Sequence, residues 1–144
     1  MMSISLNPYL MFAGNAREAI HFYEKALGGK VIGIMAFGDM PANPEYPIAD
    51  NMKDRVMHGH LQIGESHLMF SDSFDEAPFQ VTDAVQIAIH PTEETRAKEI
   101  FEALADGGQV ILPIQKTDWS PMYGIVKDKF GLTFQVNVPG QQPG

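Results

Sequence analysis

The sequence of 144 residues contains no cysteine. Disulfide bonds, thiolate metal ligands and a cysteine nucleophile are therefore excluded. Basic residues are also few, because ten Lys and Arg stand against 18 Asp and Glu, which gives a net charge of −8 without any basic cluster. A scattered minority of cations is a poor match for nucleic acid or an anionic membrane, so neither is expected as a partner.

Long apolar runs are missing as well. No run of about eighteen apolar residues occurs, and the first segment, MMSISLNPYLMF, does not combine a basic stretch with a long apolar one. The sequence thus predicts a cytoplasmic protein without a membrane-spanning segment. What is present suffices for a core, since 44% of the residues are hydrophobic and 10% are aromatic in a chain of single-domain length.

The hydrophobic pattern predicts the same order of elements twice, a strand, a helix and three strands. The first set comprises a strand at 4–12, a helix at 15–29 capped by Asn15, and strands at 30–38, 56–64 and 66–73. The second set comprises a strand at 83–90, a helix at 92–108 capped by Thr92, and strands at 109–115, 122–128 and 132–138. Two βαβββ modules are predicted, with module one at 1–72, a linker at 73–82, module two at 83–138 and a flexible tail at 139–144.

One predicted hairpin, HGHLQIGESHLMFSDS at 58–73, holds three of the five histidines. A two-residue turn at Gly64 and Glu65 predicts four cross-strand pairs, Ile63 with Ser66, Gln62 with His67, Leu61 with Leu68, and His60 with Met69. Side chains alternate along a strand, so one face carries Met57, Leu61, Ile63, Leu68 and Phe70 and is expected against a helix. The other face is expected to line a ligand site and carries His58, His60, Gln62, His67, Met69 and Ser71.

The same alternation divides the strands that would form the floor of such a site. The predicted core residues are Leu6, Leu10 and Phe12, then Val85, Ile87 and Ile89, and finally Phe134, Val136 and Val138. The opposite faces carry Asn7, Tyr9 and Met11, then Gln86, and finally Thr133, Gln135 and Asn137. The inner wall is thus predicted to be rich in amides and aromatic rings.

Several segments resemble a known superfamily. NAREAIHFYEKALGG is similar to the first helix of the glyoxalase, bleomycin-resistance and extradiol-dioxygenase superfamily, also called vicinal oxygen chelate. YGIVKDKFGLTFQV resembles the closing hairpin of that superfamily, with Lys129 where Pro is usual. NPYLMFAGNAREAIHFY, VMHGHLQIGESHLMFSD and YGIVKDKFG are most similar to the PhnB-like branch, some of whose members carry a demethylubiquinone-methyltransferase label.

The resemblance implies an α+β, glyoxalase-like fold. The two tandem βαβββ modules would form a curved mixed β-sheet with the helices outside, and a concave cavity on the inner face would bind a small molecule. Small members of the superfamily commonly dimerise, with each cavity completed by the partner chain. A homodimer is therefore expected.

Metal enzymes of the superfamily hold a divalent ion with side chains from four strands, usually His or Glu and sometimes Gln. The corresponding positions in this sequence are Asn7 or Pro8, Met69, Gln86 and Gln135. A thioether and neutral amides are weak ligands for a hard or borderline divalent ion, so the standard metal site is expected to be absent. Gln135 also replaces the carboxylate that glyoxalase chemistry uses, which disfavours lactoylglutathione lyase activity.

A different metal site is an open alternative in the hairpin. Histidines two positions apart on a strand project the same way, about 6 to 7 Å apart, so His58 and His60 could chelate Zn or Ni with His67 diagonally across. Carboxylates of the preceding loop could join them, namely Asp39, Glu45, Asp50 or Asp54. The other interpretation is that these histidines contact an organic ligand or solvent.

Two aromatic residues complete the candidate site. Trp119 and Tyr123 in DWSPMYG either close the mouth of the cavity or form an ordinary surface pair. The predicted ligand-binding residues are Tyr9, His58, His60, Gln62, Met69, Ser71, Gln86, Trp119, Tyr123 and Gln135.

Three functions are compatible with the sequence. The first is a small-molecule-binding protein or enzyme without the standard metal. The second is a lyase, dioxygenase or isomerase that uses a divalent ion near His58 and His60. The third is a resistance-type protein that sequesters an antibiotic. If the protein is an enzyme, a lyase or dioxygenase of the vicinal oxygen chelate type is expected.

Overall fold

The computed structural model describes residues 3–45, 47–73 and 80–140, and it divides into two compact units, Met1–Phe79 and Gln80–Gly144. Most of the predicted linker and of the predicted tail, residues 74–79 and 141–144, lies outside the described residues. No helix in the described ranges is both long and apolar enough to cross a membrane.

The first unit contains one helix and a four-stranded mixed sheet. Its elements are β1 (Tyr9–Phe12), α1 (Ala16–Leu27), β2 (Lys30–Ala36), β3 (Val56–Ile63) and β4 (Ser66–Asp72), with short 3₁₀ turns at Phe37–Asp39 and Asp50–Met52. The strands lie in the order β1-β4-β3-β2. The β1–β4 pair is parallel and the other two pairs are antiparallel.

The second unit repeats this arrangement. Its elements are β5 (Ile87–Ile89), α2 (Glu94–Ala105), β6 (Gln109–Gln115), β7 (Tyr123–Lys127) and β8 (Thr133–Asn137). The strand order β5-β8-β7-β6 and the single parallel pair, β5 with β8, match the first unit element by element. The predicted α+β class and the repeated βαβββ order are confirmed.

The register of the β3–β4 hairpin is also confirmed. Gly64 has φ 59°, as the first position of the predicted two-residue turn requires. The cross-strand partners are Ile63 with Ser66, Gln62 with His67, Leu61 with Leu68, and His60 with Met69. Leu61, Leu68 and Phe70 are therefore buried on the face that packs against α1, where the ring of Tyr23 lies 5.9 Å from that of Phe70.

A glycine in the third strand of each unit lets the helix approach the sheet closely. A Cβ atom on Gly59 would lie 2.5 Å from Cδ1 of Ile20 in α1. A Cβ atom on Gly124 would lie 2.7 Å from Cε2 of Phe101 in α2 and 2.9 Å from the backbone Cα of Ile114. The helix-packed core of the second unit includes Phe134, Val136 and Val138, as the alternation predicted.

The first strand of each unit is shorter than predicted. Pro8 has no N–H to donate, and the β1 ladder begins at Tyr9, so the predicted core residue Leu6 lies outside it and is 92% exposed. The residues at 83–85 form a turn, which leaves Val85 80% exposed, while Ile87 and Ile89 are half-buried on β5. Apolar and polar residues alternate through both predicted segments, but only the residues of β1 and β5 pair with a neighbouring strand.

The N-cap position predicted for α1 is confirmed, but neither predicted cap residue makes a side-chain cap hydrogen bond, and the position predicted for α2 was wrong. Asn15 occupies the N-cap position of α1 without a side-chain cap hydrogen bond, and α2 begins after Glu93 rather than Thr92, also without one. The N-terminus of α1 is capped instead by Asp72 at the end of β4, whose Oδ1 accepts hydrogen bonds from the backbone N–H of Gly14 (2.8 Å) and Ala16 (3.0 Å). A distant carboxylate thus takes the place of the local cap.

Candidate functional site

The face of the first sheet opposite α1 carries most of the histidines, and we call it the histidine face. Its register positions on the four strands are Tyr9 and Met11, Lys30, Gly33 and Met35, His58, His60 and Gln62, and His67, Met69 and Ser71. None of these residues carries a carboxylate. Apart from the ammonium group of Lys30 beside Gln62, the face offers imidazole, phenol, amide and thioether groups, a set that favours neutral hydrogen bonding and aromatic contact.

Two ring pairs organise the histidine face. The Tyr9 hydroxyl lies 3.0 Å from Nδ1 of His58, with the ring centroids 5.8 Å apart. Nε2 of His60 lies 2.7 Å from Nδ1 of His67, with the centroids 4.9 Å apart. The histidines at i and i+2 are therefore not paired with each other, because each bonds to a residue on another strand.

The electrostatics of the His60 pair favour an uncharged imidazole. The pKa of His60 is lowered from its ordinary value of 6.5, first by burial and then by the positive charges that His67 and His58 would carry. Two protonated rings in contact would repel each other, and the short nitrogen–nitrogen contact requires at least one ring to supply a lone pair. A hydrogen bond between the facing nitrogens requires one ring to donate its N–H and the other to accept it through a lone pair.

Gln62 and Ser71 lie at opposite ends of this face. The Gln62 side chain donates to the carbonyl of Gly64 in the hairpin turn at 3.1 Å. The Ser71 side chain is buried, and its hydroxyl lies 3.1 Å from the carbonyl of Asp72 and 3.4 Å from that of Val56. Both polar groups are engaged by backbone carbonyls of their own unit.

The second unit carries a chain of side-chain hydrogen bonds on the face opposite α2, and we call Gln86, Tyr123, Gln135 and Asn137 the amide face. The Tyr123 hydroxyl donates to Oε1 of Gln135 at 3.0 Å, and Nε2 of Gln135 donates to Oε1 of Gln86 at 2.8 Å. Nε2 of Gln86 in turn donates to the carbonyl of Asp83 at 3.3 Å. The chain joins β7, β8 and the residue before β5, and it fixes the orientation of both glutamine amides.

Groups at the two ends of the amide face extend its chemistry. The Trp119 ring is 61% exposed and packs edge-on against Tyr123, with the centroids 5.3 Å apart. Oδ1 of Asn137 is buried without a hydrogen-bond partner among the described residues, although its amide nitrogen lies 3.4 Å from Nδ1 of His90. The exposed edge of the Trp119 ring is therefore available on this surface, whereas Oδ1 of Asn137 is enclosed beneath it.

A charged cluster on the same side of the second sheet was not foreseen. Asp83 accepts a hydrogen bond from Thr133 at 2.8 Å and pairs with Lys127 at 3.3 Å. The Thr133 and Lys127 hydrogen bonds lower the pKa of Asp83 from its ordinary value of 3.8. The alternation of side chains along β8 placed Thr133 on this side, but no local pattern indicated that the turn residue Asp83 would contact it.

The residues at the four strand positions of the superfamily's divalent-ion site do not fit such an ion. Met69 offers a thioether, and Asn7 is exposed before β1 begins. The amides of Gln86 and Gln135 are bonded to each other and to Tyr123, which engages the oxygen atoms that a metal would need. Among the described residues, no three His, Asp or Glu side chains come together as metal ligands, so the loop carboxylates do not join His58 and His60.

These two units define a protein of the glyoxalase-like class. A glyoxylase/bleomycin resistance protein/dioxygenase domain from Frankia sp. EAN1pec has the same fold, with a TM-score of 0.71 and 10% identity over 99% of this chain and 96% of its own. The fold expected from the sequence resemblance is confirmed.

The chain belongs to the family described as 3-demethylubiquinone-9 3-methyltransferase, whose sequence model matches residues 5–137. Protein YjdN of Escherichia coli (strain K12) is 31% identical over 144 residues, which cover 96% of this chain and 97% of YjdN. The crystal structure of protein PA1353 from Pseudomonas aeruginosa is 35% identical with a TM-score of 0.85, over 96% of this chain and 100% of its own. The PhnB protein from Bacillus cereus shares the fold at 23% identity and a TM-score of 0.77, over 94% and 99% of the two chains.

Proposed function

We propose that this protein binds a small planar organic molecule with hydroxyl or keto oxygens on its histidine face, without a divalent ion in the superfamily's four-strand position. The observation that carries the proposal is the pair of cross-strand contacts, Tyr9 with His58 and His60 with His67. They hold four rings on one sheet face that lacks carboxylates.

The chemistry of these rings favours such a ligand. Phenol and imidazole groups present flat apolar surfaces for aromatic contact together with nitrogen and oxygen atoms that donate or accept hydrogen bonds. Met69 adds a polarisable thioether, which makes favourable contacts with aromatic rings. A flat ring with oxygen substituents could meet both kinds of group at once.

The family description supports the same ligand class. It names 3-demethylubiquinone, which is a ring with oxygen substituents on neighbouring carbons. The proposal concerns recognition of such a ring and does not extend to transfer of a methyl group. The amide face, with Trp119 and Tyr123, is proposed as a second ligand-contacting surface.

Exposed apolar residues on the edge strands support a further part of the proposal, the expected homodimer. On β2, Ile32 is 48% exposed, and on β6, Ile111 is also 48% exposed. Apolar residues at unpaired sheet edges favour association. Sedimentation should show a dimer, and a monomer at high protein concentration would contradict this part.

Titration with three probes, followed by NMR, tests the proposed ligand class. Catechol offers a flat ring with adjacent hydroxyls, phenol offers one hydroxyl, and cyclohexane-1,2-diol offers the hydroxyls without the flat ring. Catechol is expected to shift the imidazole signals of His58, His60 and His67 most, and the cyclic diol least. The signal of His21, which bonds to Glu24 on α1, serves as an internal control.

Variants locate the binding surface. His60→Gln and Tyr9→Phe should each weaken catechol binding, whereas His21→Gln should not. Equal binding of catechol and the cyclic diol would contradict the aromatic assignment. Catechol shifts that survive in the His60→Gln, Tyr9→Phe double variant would place the ligand elsewhere and refute the proposal.

A further inference from the structure

The histidine face is rich in thioethers as well as imidazoles. Met69 is the cross-strand partner of His60, and Met35 is the cross-strand partner of His58. Directly paired residues have their Cβ atoms about 4.5 to 5.5 Å apart on the same face of a sheet. Two imidazoles therefore each have a sulfur-bearing neighbour on the adjoining strand.

These donors are poor for one kind of metal and good for another. Thioether sulfur binds hard or borderline divalent ions weakly, which argues against Met69 as a ligand for the superfamily's usual ions. The same soft sulfur suits Cu(I), for which thiolate and thioether ligands are selective, and imidazole also binds copper. A face with imidazoles and thioethers but no carboxylate or thiolate favours a soft monovalent ion.

The position of the two histidine nitrogens sets the centre of such a site. Nε2 of His60 and Nδ1 of His67 face each other at 2.7 Å, within hydrogen-bond distance. A metal ion in place of this hydrogen bond would be bound by a lone pair from each ring once the rings had rotated far enough to move the two nitrogens apart. The pair is already oriented toward one point.

Met69 and Gly33 complete the surroundings of this point. Met69 lies opposite His60 on β4 and two residues after His67 on the same strand, so it adjoins both rings on the same face. On the other side of His60, β2 presents Gly33, which has no side chain and open space where a Cβ would lie. All three proposed ligands are only partly buried, which leaves them accessible to an ion.

We propose that His60, His67 and Met69 form a binding site for a soft monovalent metal ion, Cu(I), on the open face of the first sheet. The site lies within one unit and uses two imidazole nitrogens and one thioether. It differs from the four-strand divalent-ion position, which shares only Met69 with it. It also goes beyond the proposed organic ligand, because neither the metal nor its ligand set is required for recognition of a flat ring.

Competition for Cu(I) tests the site in the full-length protein. Bicinchoninic acid, a coloured Cu(I) chelator, is titrated against the protein under anaerobic reducing conditions. The wild-type chain is expected to remove one Cu(I) per chain from the chelator. Met69→Leu and His67→Gln are each expected to weaken that binding more than about 10-fold, because loss of even a residue that only supports a metal ligand typically costs about 10- to 100-fold.

Matched variants distinguish this site from general methionine or histidine binding. Met40→Leu removes a thioether that is 44% exposed in the loop after Phe37–Asp39, and His21→Gln removes an exposed imidazole on α1. Both should bind Cu(I) like the wild type. Circular dichroism of all variants without metal confirms that each is folded. If Met40→Leu loses as much affinity as Met69→Leu, the ion binds adventitiously and the proposal fails.

Two other ions test the soft character of the site. Ag(I), which is redox-inert under these conditions, should shift the ε-methyl signal of Met69 and the ring signals of His60 and His67 in chloride-free buffer. Zn(II) should compete poorly with Cu(I). Tight Zn(II) binding that depends on His60 and His67 but is unchanged by Met69→Leu would overturn the assignment to a soft ion.

Discussion

The two units of this protein share one architecture but use different groups at one place, where the start of the third strand lies beside the end of the last strand. We call this place the corner of each unit. In the first unit, Asp72 at the end of β4 accepts hydrogen bonds from the start of β3, through Val56 N–H at 2.8 Å, and from the start of α1. In the second unit, Ser120 before β7 reaches the carbonyl of Val138 after β8 at 2.6 Å. The corner needs a polar connection, but neither the residue type nor the strand that supplies it is fixed.

What the units have in common is steric. Gly59 and Gly124 occupy the third strand of each unit, and each allows a helix side chain to lie where a Cβ would otherwise be. Close packing of helix on sheet depends on this missing side chain. The comparison shows that packing geometry is repeated between the units, whereas polar groups at the corners and on the open faces differ.

The largest expected effect separates the two corners. Asp72→Ala should lower the free energy of unfolding by about 3 kcal/mol or more, because three backbone N–H groups, two of them in buried hydrogen bonds, lose their acceptor at once. Urea unfolding measures the loss. Asp54→Ala, which removes the same charge from an exposed loop position, is the control and should change stability little. Equal effects would show that charge rather than hydrogen bonding is responsible.

The next effect compares the two glycines. Gly124→Ala should cost about 1 to 3 kcal/mol, the range for overpacking a filled core, because the new methyl group would meet the Phe101 ring and the backbone of Ile114. Gly59→Ala should cost less, since the close atom is the terminal methyl of Ile20, which can rotate away. Gly33→Ala is the control, with open space at its Cβ position. Thermal denaturation that ranks Gly59→Ala as the more damaging change would contradict this order.

A smaller effect is expected at the second corner. The Ser120 hydroxyl lies within hydrogen-bond distance of the Val138 and Met122 carbonyls and accepts from Met122 N–H at 3.1 Å. Ser120→Ala should therefore lower the free energy of unfolding by about 1 to 2 kcal/mol. Ser120→Thr, which keeps the hydroxyl, should recover part of that loss. Urea unfolding of both variants checks the ranking against Asp72→Ala.

The smallest expected effects concern how the free energy of unfolding changes with pH, and the change is expected in a different pH range for each unit. Because the folded-state pKa of His60 lies below its ordinary value of 6.5, the unfolded chain binds a proton there more readily than the folded one. The contribution of His60 to the free energy of unfolding is thus fully present above pH 6.5, and it is lost as the pH falls through the pKa of His60 in the folded state. Urea midpoints between pH 8 and pH 5, in about half-unit steps, should decline less in His60→Gln than in the wild type.

The corresponding range for the second unit is more acidic. The pKa of Asp83 is lowered by its hydrogen bonds, so its contribution is complete above the ordinary value of 3.8 and is lost only as the pH falls further. Asp83→Asn should flatten the stability profile in that range and leave the profile near pH 6 unchanged. If the stability of Asp83→Asn changed near pH 6, the loss of stability in mild acid could not be attributed to His60 of the first unit alone.

Much of the fold could be predicted because its signals are local. The Gly64–Glu65 turn and the alternation on either side of it determine the hairpin register, and that prediction was confirmed. Strand limits were predicted less well, since alternation at Leu6 and Val85 says nothing about whether a neighbouring strand is there to pair with them. The group that accepts the N–H hydrogen bonds at the start of α1 was missed for the same reason, because a carboxylate 56 residues away from Ala16 leaves no signal near the helix.

The candidate site likewise has features that a local pattern predicts and features that depend on distant residues. Alternation correctly separated His58, His60 and Gln135 from the helix-packed side chains. It could not show which imidazole would bond to which partner, since that depends on side-chain rotation and on the position of Tyr9 on a parallel strand. Met35 was also missed, because the long loop between β2 and β3 carries no signal for their register.

The capping of α1 by Asp72 also bears on the order in which the chain folds. Asp72 lies 58 residues from Gly14, so the first turn of α1 gains its cap only after β4 has been brought beside β1. Closing a loop of that length costs conformational entropy, which slows the formation of the contact. Asp128, by contrast, binds the N–H groups of Phe130 and Leu132 within four residues. The closing hairpin of the second unit can therefore form early in refolding. Pulsed hydrogen exchange should find Leu132 protected before Ala16, and the reverse order would show that the long-range cap forms first.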